Sequence, residues 1–168
     1  QKLARLKRSN RVLLAGSVQE EIGLRGARTL ACHAKPDVAV ILEGTPADDT
    51  PGFKPDESQA VVGAGVQIRM HDPSAIMNPR LTELALETAE KEKIPHQLAV
   101  RRGGGTDAGE VHLSGGGVPS VVLGVPARYI HSHNSIIDLA DYRAMVDLSV
   151  ALIRRLTVRQ AAKLVEYL

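Results

Sequence analysis

Acidic residues and histidines recur in this chain just beyond short runs of apolar, branched residues. Glu20 and Glu21 follow residues 12–18; Glu43 follows residues 38–42, with Asp48 and Asp49 a few positions on. Thr106 and Asp107 end the stretch 101–107 that follows residues 94–100, and His131 and His133 end the stretch 126–133 that follows residues 120–125. In open α/β sheets, sites lie beyond the carboxyl ends of the strands, so these groups are expected to converge on one rim. Like charges gathered there repel strongly unless a cation neutralises them. Mixed carboxylate and imidazole donors suit zinc, cobalt or manganese, whereas calcium and magnesium take oxygen donors almost alone. Adjacent Glu20 and Glu21 point different ways at a strand end, so one can bind metal while the other faces water. A bound metal lowers the pKa of water to about 7, and a neighbouring carboxylate can then take its proton during attack on a carbonyl.

The elements that must position these groups follow from periodicity. Residues 12–18 and 38–42 read as strands covered on both faces, and residues 24–33 between them as a helix. Strand, helix and strand with short joins predict a parallel sheet with crossover helices. Residues 45–58 are rich in Pro and Asp and read as loop; residues 60–70 have strand character with two Gly interruptions. Asn78 and Pro79 open a long helix ending near Lys93, Asn78 as its cap and Pro79 at its first position. Residues 94–100 and 120–125 read as further strands, 103–117 as a Gly-rich loop around a short helix, 138–156 as the last long helix and 158–168 as a helical tail. Residues 2–7 resemble a helix end. The fold expected is a three-layer α/β/α sandwich, without internal repeat or second domain.

Composition narrows the class. Hydrophobic residues make up 43% and charged residues 24% of 168, which suits a globular chain with a real core. No apolar run approaches the roughly 20 residues of a spanning helix, and the basic start lacks the pattern of a signal peptide. A net charge of +2 argues for neither nucleic acid nor an anionic surface. Aromatics are only 2%, too few for a cleft that stacks sugars or bases, which argues against glucan hydrolysis. The lone Cys32 excludes an internal disulfide and suits a reducing, cytoplasmic setting.

Four segments, VQEEIGLRGA at 18–27, LEGTPADDTPG at 42–52, GGTDAG at 104–109 and GVPARYIHS at 124–132, resemble in order the motifs of the glutamyl and tetrahedral aminopeptidase family. These are cytosolic dinuclear metallopeptidases, some of them labelled cellulase M or endoglucanase. The resemblance implies a sandwich of the zinc-peptidase type, with residues 1–168 as the C-terminal part of its catalytic domain. That part lacks the N-terminal strands and the inserted β-domain used for subunit pairing. It implies Glu20 as general base, Glu21 and His131 on one metal, and Glu43, where the family often has Asp, on the other. Gly104, Gly105, Thr106 and Asp107 would border the substrate pocket. A histidine and a bridging aspartate would lie upstream of Gln1. Two divalent ions, zinc or cobalt with manganese as a further option, peptide substrates, homo-oligomers and a cytoplasmic location complete the expectation.

Plainer readings stand beside these. Glu20 and Glu21 also suit a helix N-terminus, where the dipole favours carboxylates. Glu43 could be a surface loop residue, and Asp48 and Asp49 fit turn geometry. His133 reads as a rim residue; His33, His71, His96 and His112 as ordinary surface or core histidines; Cys32 as inert. Asp72 and Glu110 have no assigned role. Arg101 and Arg102 are basic enough to attract an acidic substrate, though nothing else in the sequence puts them in a pocket. The function expected is metal-dependent removal of N-terminal residues from peptides. The alternatives are an amidohydrolase or deacylase of the same fold and, for the isolated chain, a non-catalytic interaction unit.

Overall fold

The computed structural model describes residues 3, 9–54 and 57–166. In chain order its elements are α1 (Arg25–Ala34), β1 (Ala39–Pro46), β2 (Val66–Asp72), β3 (Ala75–Ile76), α2 (Pro79–Lys91), β4 (His96–Val100), α3 (Ala108–Val111), β5 (Ser120–Ala127), α4 (Leu139–Arg155) and α5 (Val158–Lys163). The expected helix end over residues 2–7 lies, Leu3 apart, outside the described residues.

Local chemistry sets the helix starts. The Asn78 side chain accepts a hydrogen bond from the Leu81 amide at 2.9 Å, with Pro79 in the first turn. Asp138 does the same for Ala140 at 2.7 Å. Each satisfies an amide that has no partner within the helix, and Pro at the first position has no amide to satisfy.

The five strands form one mixed sheet. β1 and β5 run parallel from Ala39 opposite Ser120 to Pro46 opposite Ala127. β2 runs antiparallel to β5, with Gln67 opposite Gly124, and β4 runs parallel to β2. This corrects the expectation of a parallel sheet. Among the described residues no helix joins β1 to β2, and the chain re-enters in the opposite sense, whereas the α2 crossover keeps β2 and β4 parallel.

Helices cover both faces, giving the three layers. Val66, Ile68, Val121, Leu123 and Val125 pack against Leu81, Leu84, Leu148 and Leu152 of α2 and α4. On the other face Val122 and Ile41 meet Ala108 and Met77, while Ala27 and Ala31 of α1 meet Val111 and Val118. β5 is buried along its whole length, as a central strand with both faces covered must be. No helix among the described residues is long and apolar enough to cross a membrane.

Three segments differ from the sequence reading. Residues 12–18 are not a strand: Leu13, Leu14 and Val18 are 60%, 77% and 66% exposed. Their apolar pattern shows that they are suited to burial, but no layer of the described residues covers them. β1 is longer than expected, so Glu43 lies within the strand rather than after it. Residues 60–65 are turn, with Gly63 and Gly65 in left-handed conformation, and β2 begins only at Val66.

Candidate active site

Alternate residues of a strand share a face, so Glu43 and Thr45 lie on the side of β1 that Ile41 presents to α3. Gly124 stands opposite Glu43, and Gln67 opposite Gly124. A side chain at Gly124 would come within 3.1 Å of the Thr45 side chain and 3.3 Å of Gln67 Oε1, so the missing Cβ leaves room for polar groups between strands. From β2, Arg69 Nη2 crosses this space to donate to Thr45 Oγ1 at 2.9 Å. The sheet is therefore polar on this face near the end of β1, with Thr45, Gln67 and Arg69 buried.

Glu20 and Glu21 stand in the turn before α1. The Glu20 carbonyl accepts from the Gly23 and Leu24 amides at 3.1 and 3.0 Å, and the Gly26 amide donates to the Val18 carbonyl at 2.9 Å. That approach requires glycine at 26: a Cβ there would lie 2.4 Å from the backbone N and O of Val18. His131 lies in the turn after β5, whose base is the bridge between Arg128 and Ile136. His131 Nε2 sits 3.2 Å from Glu21 Oε1, with both side chains largely exposed. Both turns are strained. Gln19 and Leu24 flank the glutamates at φ 59° and 54°, and Tyr129 and His131 sit at φ 60° and 63°. Non-glycine residues rarely adopt this region, and held there they cost of order 1–3 kcal/mol each and cluster at functional sites.

Electrostatics ties the remaining acids to this pair. Burial pushes the Glu43 carboxyl up to about 7; Glu20 and Asp107 push the same way, against Arg69 and the Gly44 amide. Glu20 is raised too, by burial first and then by Glu21 and Asp107, while His131 opposes. Asp107 accepts a hydrogen bond from Ser17 through Oδ2, and its Oδ1 is buried without a partner. Glu20, Glu21, Glu43, Asp107 and His131 thus form one neighbourhood. His133 is exposed, as is His131, and Gly104 and Gly105 are exposed ahead of the buried Thr106.

The donors fit part of a metal centre. Glu21 and His131 offer a carboxylate and an imidazole close enough to share an ion, and the burial and like charge that raise Glu20 and Glu43 are of the kind a cation offsets. Among the described residues, no three His, Cys, Asp or Glu side chains stand close enough together to hold an ion.

Several charged residues have uses the sequence did not reveal. Asp48 does more than shape a turn: Oδ1 accepts from the Gln59 and Ala60 amides, and Oδ2 takes Arg101 Nη1 at 2.8 Å. Arg101 is therefore committed to an ion pair rather than offered to an acidic substrate. Asp49 holds Arg128 through two hydrogen bonds of 2.8 Å. Asp72, unassigned in sequence, is buried against Arg69 at 3.1 Å. The available clue was Arg69 itself, a charged residue alternating with the core positions of a strand, which burial obliges to find a partner. Glu110 stands 3.8 Å from the exposed Arg28. His33, His96 and His112 each place Nδ1 against a backbone carbonyl, as ordinary histidines do. Cys32 is exposed.

Fold and site together define an α/β/α unit with a carboxylate–imidazole cluster over one end of its sheet. The family model of M42 glutamyl aminopeptidase matches residues 1–148, and the chain belongs to that family. It is 37% identical to the glutamyl aminopeptidase of Lactococcus lactis subsp. cremoris over 156 residues, covering 93% of this chain and 42% of that protein. Among solved structures, a TET aminopeptidase from the marine sediment archaeon Thaumarchaeota archaeon SCGC AB-539-E09 superposes with a TM-score of 0.86 at 42% identity, over 89% of this chain and 42% of that one. The Pyrococcus horikoshii TET1 peptidase, which can assemble into a tetrahedron or a large octahedral shell, gives 0.68 at 34% identity over 83% and 40%. The chain spans about two-fifths of the length of these relatives.

Proposed function

We propose that this chain carries one part of the active site of a metal-dependent aminopeptidase that hydrolyses N-terminal residues from peptides. The observation that carries the reading is the approach of Glu21 to His131 beside Glu20, in a member of an aminopeptidase family. Glu21 and His131 would hold one divalent ion and Glu43 would serve a second. The other donors, a histidine and a bridging aspartate, would lie outside these 168 residues. Zinc or cobalt suits the donor set best, with manganese as a further option. When bound, such ions supply Lewis acidity at the scissile carbonyl and make water easier to deprotonate. Glu20 takes the proton from the attacking water at its carboxylate, a task to which a raised pKa is suited. Gly104, Gly105, Thr106 and Asp107 border the bound peptide. Assembly into homo-oligomers is part of the reading, supported by the shells of the Pyrococcus horikoshii peptidase. The lone cysteine supports a cytoplasmic setting.

The test uses the full-length protein. Metal analysis should find close to two equivalents per chain. Glu20→Gln should lower turnover of aminoacyl-anilides by about 10²–10⁴-fold with the metal retained. Undiminished turnover would remove Glu20 from the mechanism, and hydrolysis of acetylated amines instead of anilides would replace the aminopeptidase by a deacylase.

A further inference from the structure

Asp72 and Arg69 form a buried, hydrogen-bonded couple on the polar face of the sheet, with only Arg69 Nε lacking a partner among the described residues, and no step of the reaction uses them. Asp72 is 1% exposed and Arg69 is 3% exposed. A β-bulge between Arg69 and His71 interrupts the ladder beside them. Asp72 Oδ2 accepts from Arg69 Nη1 at 3.1 Å and from Thr106 Oγ1 at 3.2 Å. Asp72 Oδ1 accepts from the Ser74 hydroxyl at 2.6 Å and from the Ser74 and Ala75 amides at 2.9 and 3.1 Å. The Ser74 hydroxyl in turn accepts from the Thr106 amide at 3.3 Å. Two links therefore run from Asp72 to Thr106, one direct and one through Ser74. On the other side Arg69 Nη2 reaches Thr45, two residues beyond Glu43 on β1.

A charge pair this deeply buried is not kept for stability alone. Apolar residues of similar volume often serve as well or better, whereas a half-broken pair is costly. The couple does what an apolar pair could not do: it fixes a hydroxyl and an amide of the loop that leads to Asp107. We propose that Asp72 is a positioning residue, with Arg69 as its buried counter-ion, which holds the Thr106–Asp107 loop in register with the Glu43 end of β1. The inference rests on the functional reading above, in which that loop borders the bound peptide. Asp72 touches neither substrate nor reacting atoms; it acts through Thr106.

Three variants of the full-length protein test it. Asp72→Asn keeps the shape but weakens both links. Ser74→Ala removes one link while leaving the buried charge pair whole, and so covers the case in which Asp72→Asn folds poorly. Asp141→Asn is the control: Asp141 is equally buried and holds the Gly63 and Gly65 amides at 2.7 and 2.8 Å, with no bond to the loop. The first two should raise KM for a peptide substrate on the order of tenfold with a smaller change in kcat, and the control should leave KM unchanged. Amide exchange over residues 104–109 should accelerate in the first two and not in the control. Unaltered KM and unaltered exchange in both Asp72→Asn and Ser74→Ala overturn the proposal. If the wild-type protein cleaves no peptide, the functional reading fails, and exchange over the loop still decides whether Asp72 positions it.

Discussion

Arg128 grips Asp49 with a two-pronged hydrogen bond, Nε to Oδ1 and Nη2 to Oδ2, each 2.8 Å long. The fork joins the loop after β1 to the exit of β5, three residues before His131. Asp49 also accepts from the Val62 amide at 2.8 Å, which ties a third segment to the same carboxylate. Planar fork geometry makes this contact directional as well as charged. It fixes where the turn carrying His131 begins.

Asp49→Asn keeps the shape and removes the charge. The turn should loosen, and zinc affinity of the protein should fall on the order of tenfold, as when support behind a ligand is lost. The thermal midpoint should fall only modestly, because Arg128 keeps access to solvent and Asn can still accept from the Val62 amide, although the Asp49 side chain is only 8% exposed. Isothermal titration with zinc and a melting curve check the two halves. Unchanged affinity would separate the fork from the placement of His131.

Gly26→Ala tests the other half of the pair. The added methyl would meet the backbone of Val18 at 2.4 Å, and backbone cannot swing aside as a flexible side chain can. The segment carrying Glu20 and Glu21 must move. A displacement near 1 Å at catalytic groups can cost about 10² in rate, so turnover should fall by about that factor. The segment is mostly exposed and adds little to the core, so urea unfolding should shift only slightly. A variant that unfolds with the wild type yet turns over normally would show that residues 18–21 need not lie against α1.

The parts of this arrangement that were legible in the sequence are those whose physics is local. Asn78 and Pro79 announce a helix start because the cap and the first position are neighbours in the chain. β5 announces itself because every residue from Ser120 to Ala127 is buried. Residues 12–18 carry the same composition and are exposed, since an apolar pattern cannot say whether a neighbour is at hand. The sequence puts Glu43 beyond its strand because the stretch from Thr45 onward, rich in Pro and Asp, looks like loop. Pro46 is nonetheless tolerated at the end of β1, which pairs with β5 alone among the described strands. The Arg69–Asp72 couple stayed hidden for another reason: its partners Thr45 and Thr106 are remote in sequence, and only the fold brings them together.

Exposed apolar groups at residues 13–22 predict a solubility effect. Leu13, Leu14, Val18 and Ile22 are each more than half exposed, and β1 pairs with β5 alone among the described strands. Exposed apolar residues and a strand edge without a partner each invite association. Leu13→Ser combined with Leu14→Ser should lower the aggregated fraction of the 168-residue chain in light scattering and leave its melting midpoint in place. A large fall in the midpoint would mean that these leucines are buried in solution.

Acid should reveal the Asp72 network. Burial alone would raise this carboxyl, but the Ser74 hydroxyl and amide together with Arg69 outweigh it and hold the folded value below normal. A carboxylate depressed in the folded state contributes stability that is fully present above its unfolded pKa of about 3.9. That contribution is lost as pH falls through the lower folded value, because the unfolded chain then binds the proton more readily. Asp72→Asn has no such proton to bind. The stability lead of the wild type over this variant should therefore be constant from neutral pH down to about pH 5 and shrink below about pH 4. Urea unfolding of both proteins at a series of pH values measures the gap. A lead that stays constant to pH 2, or widens in acid, would mean that Asp72 is not ionised against Arg69 in the folded protein.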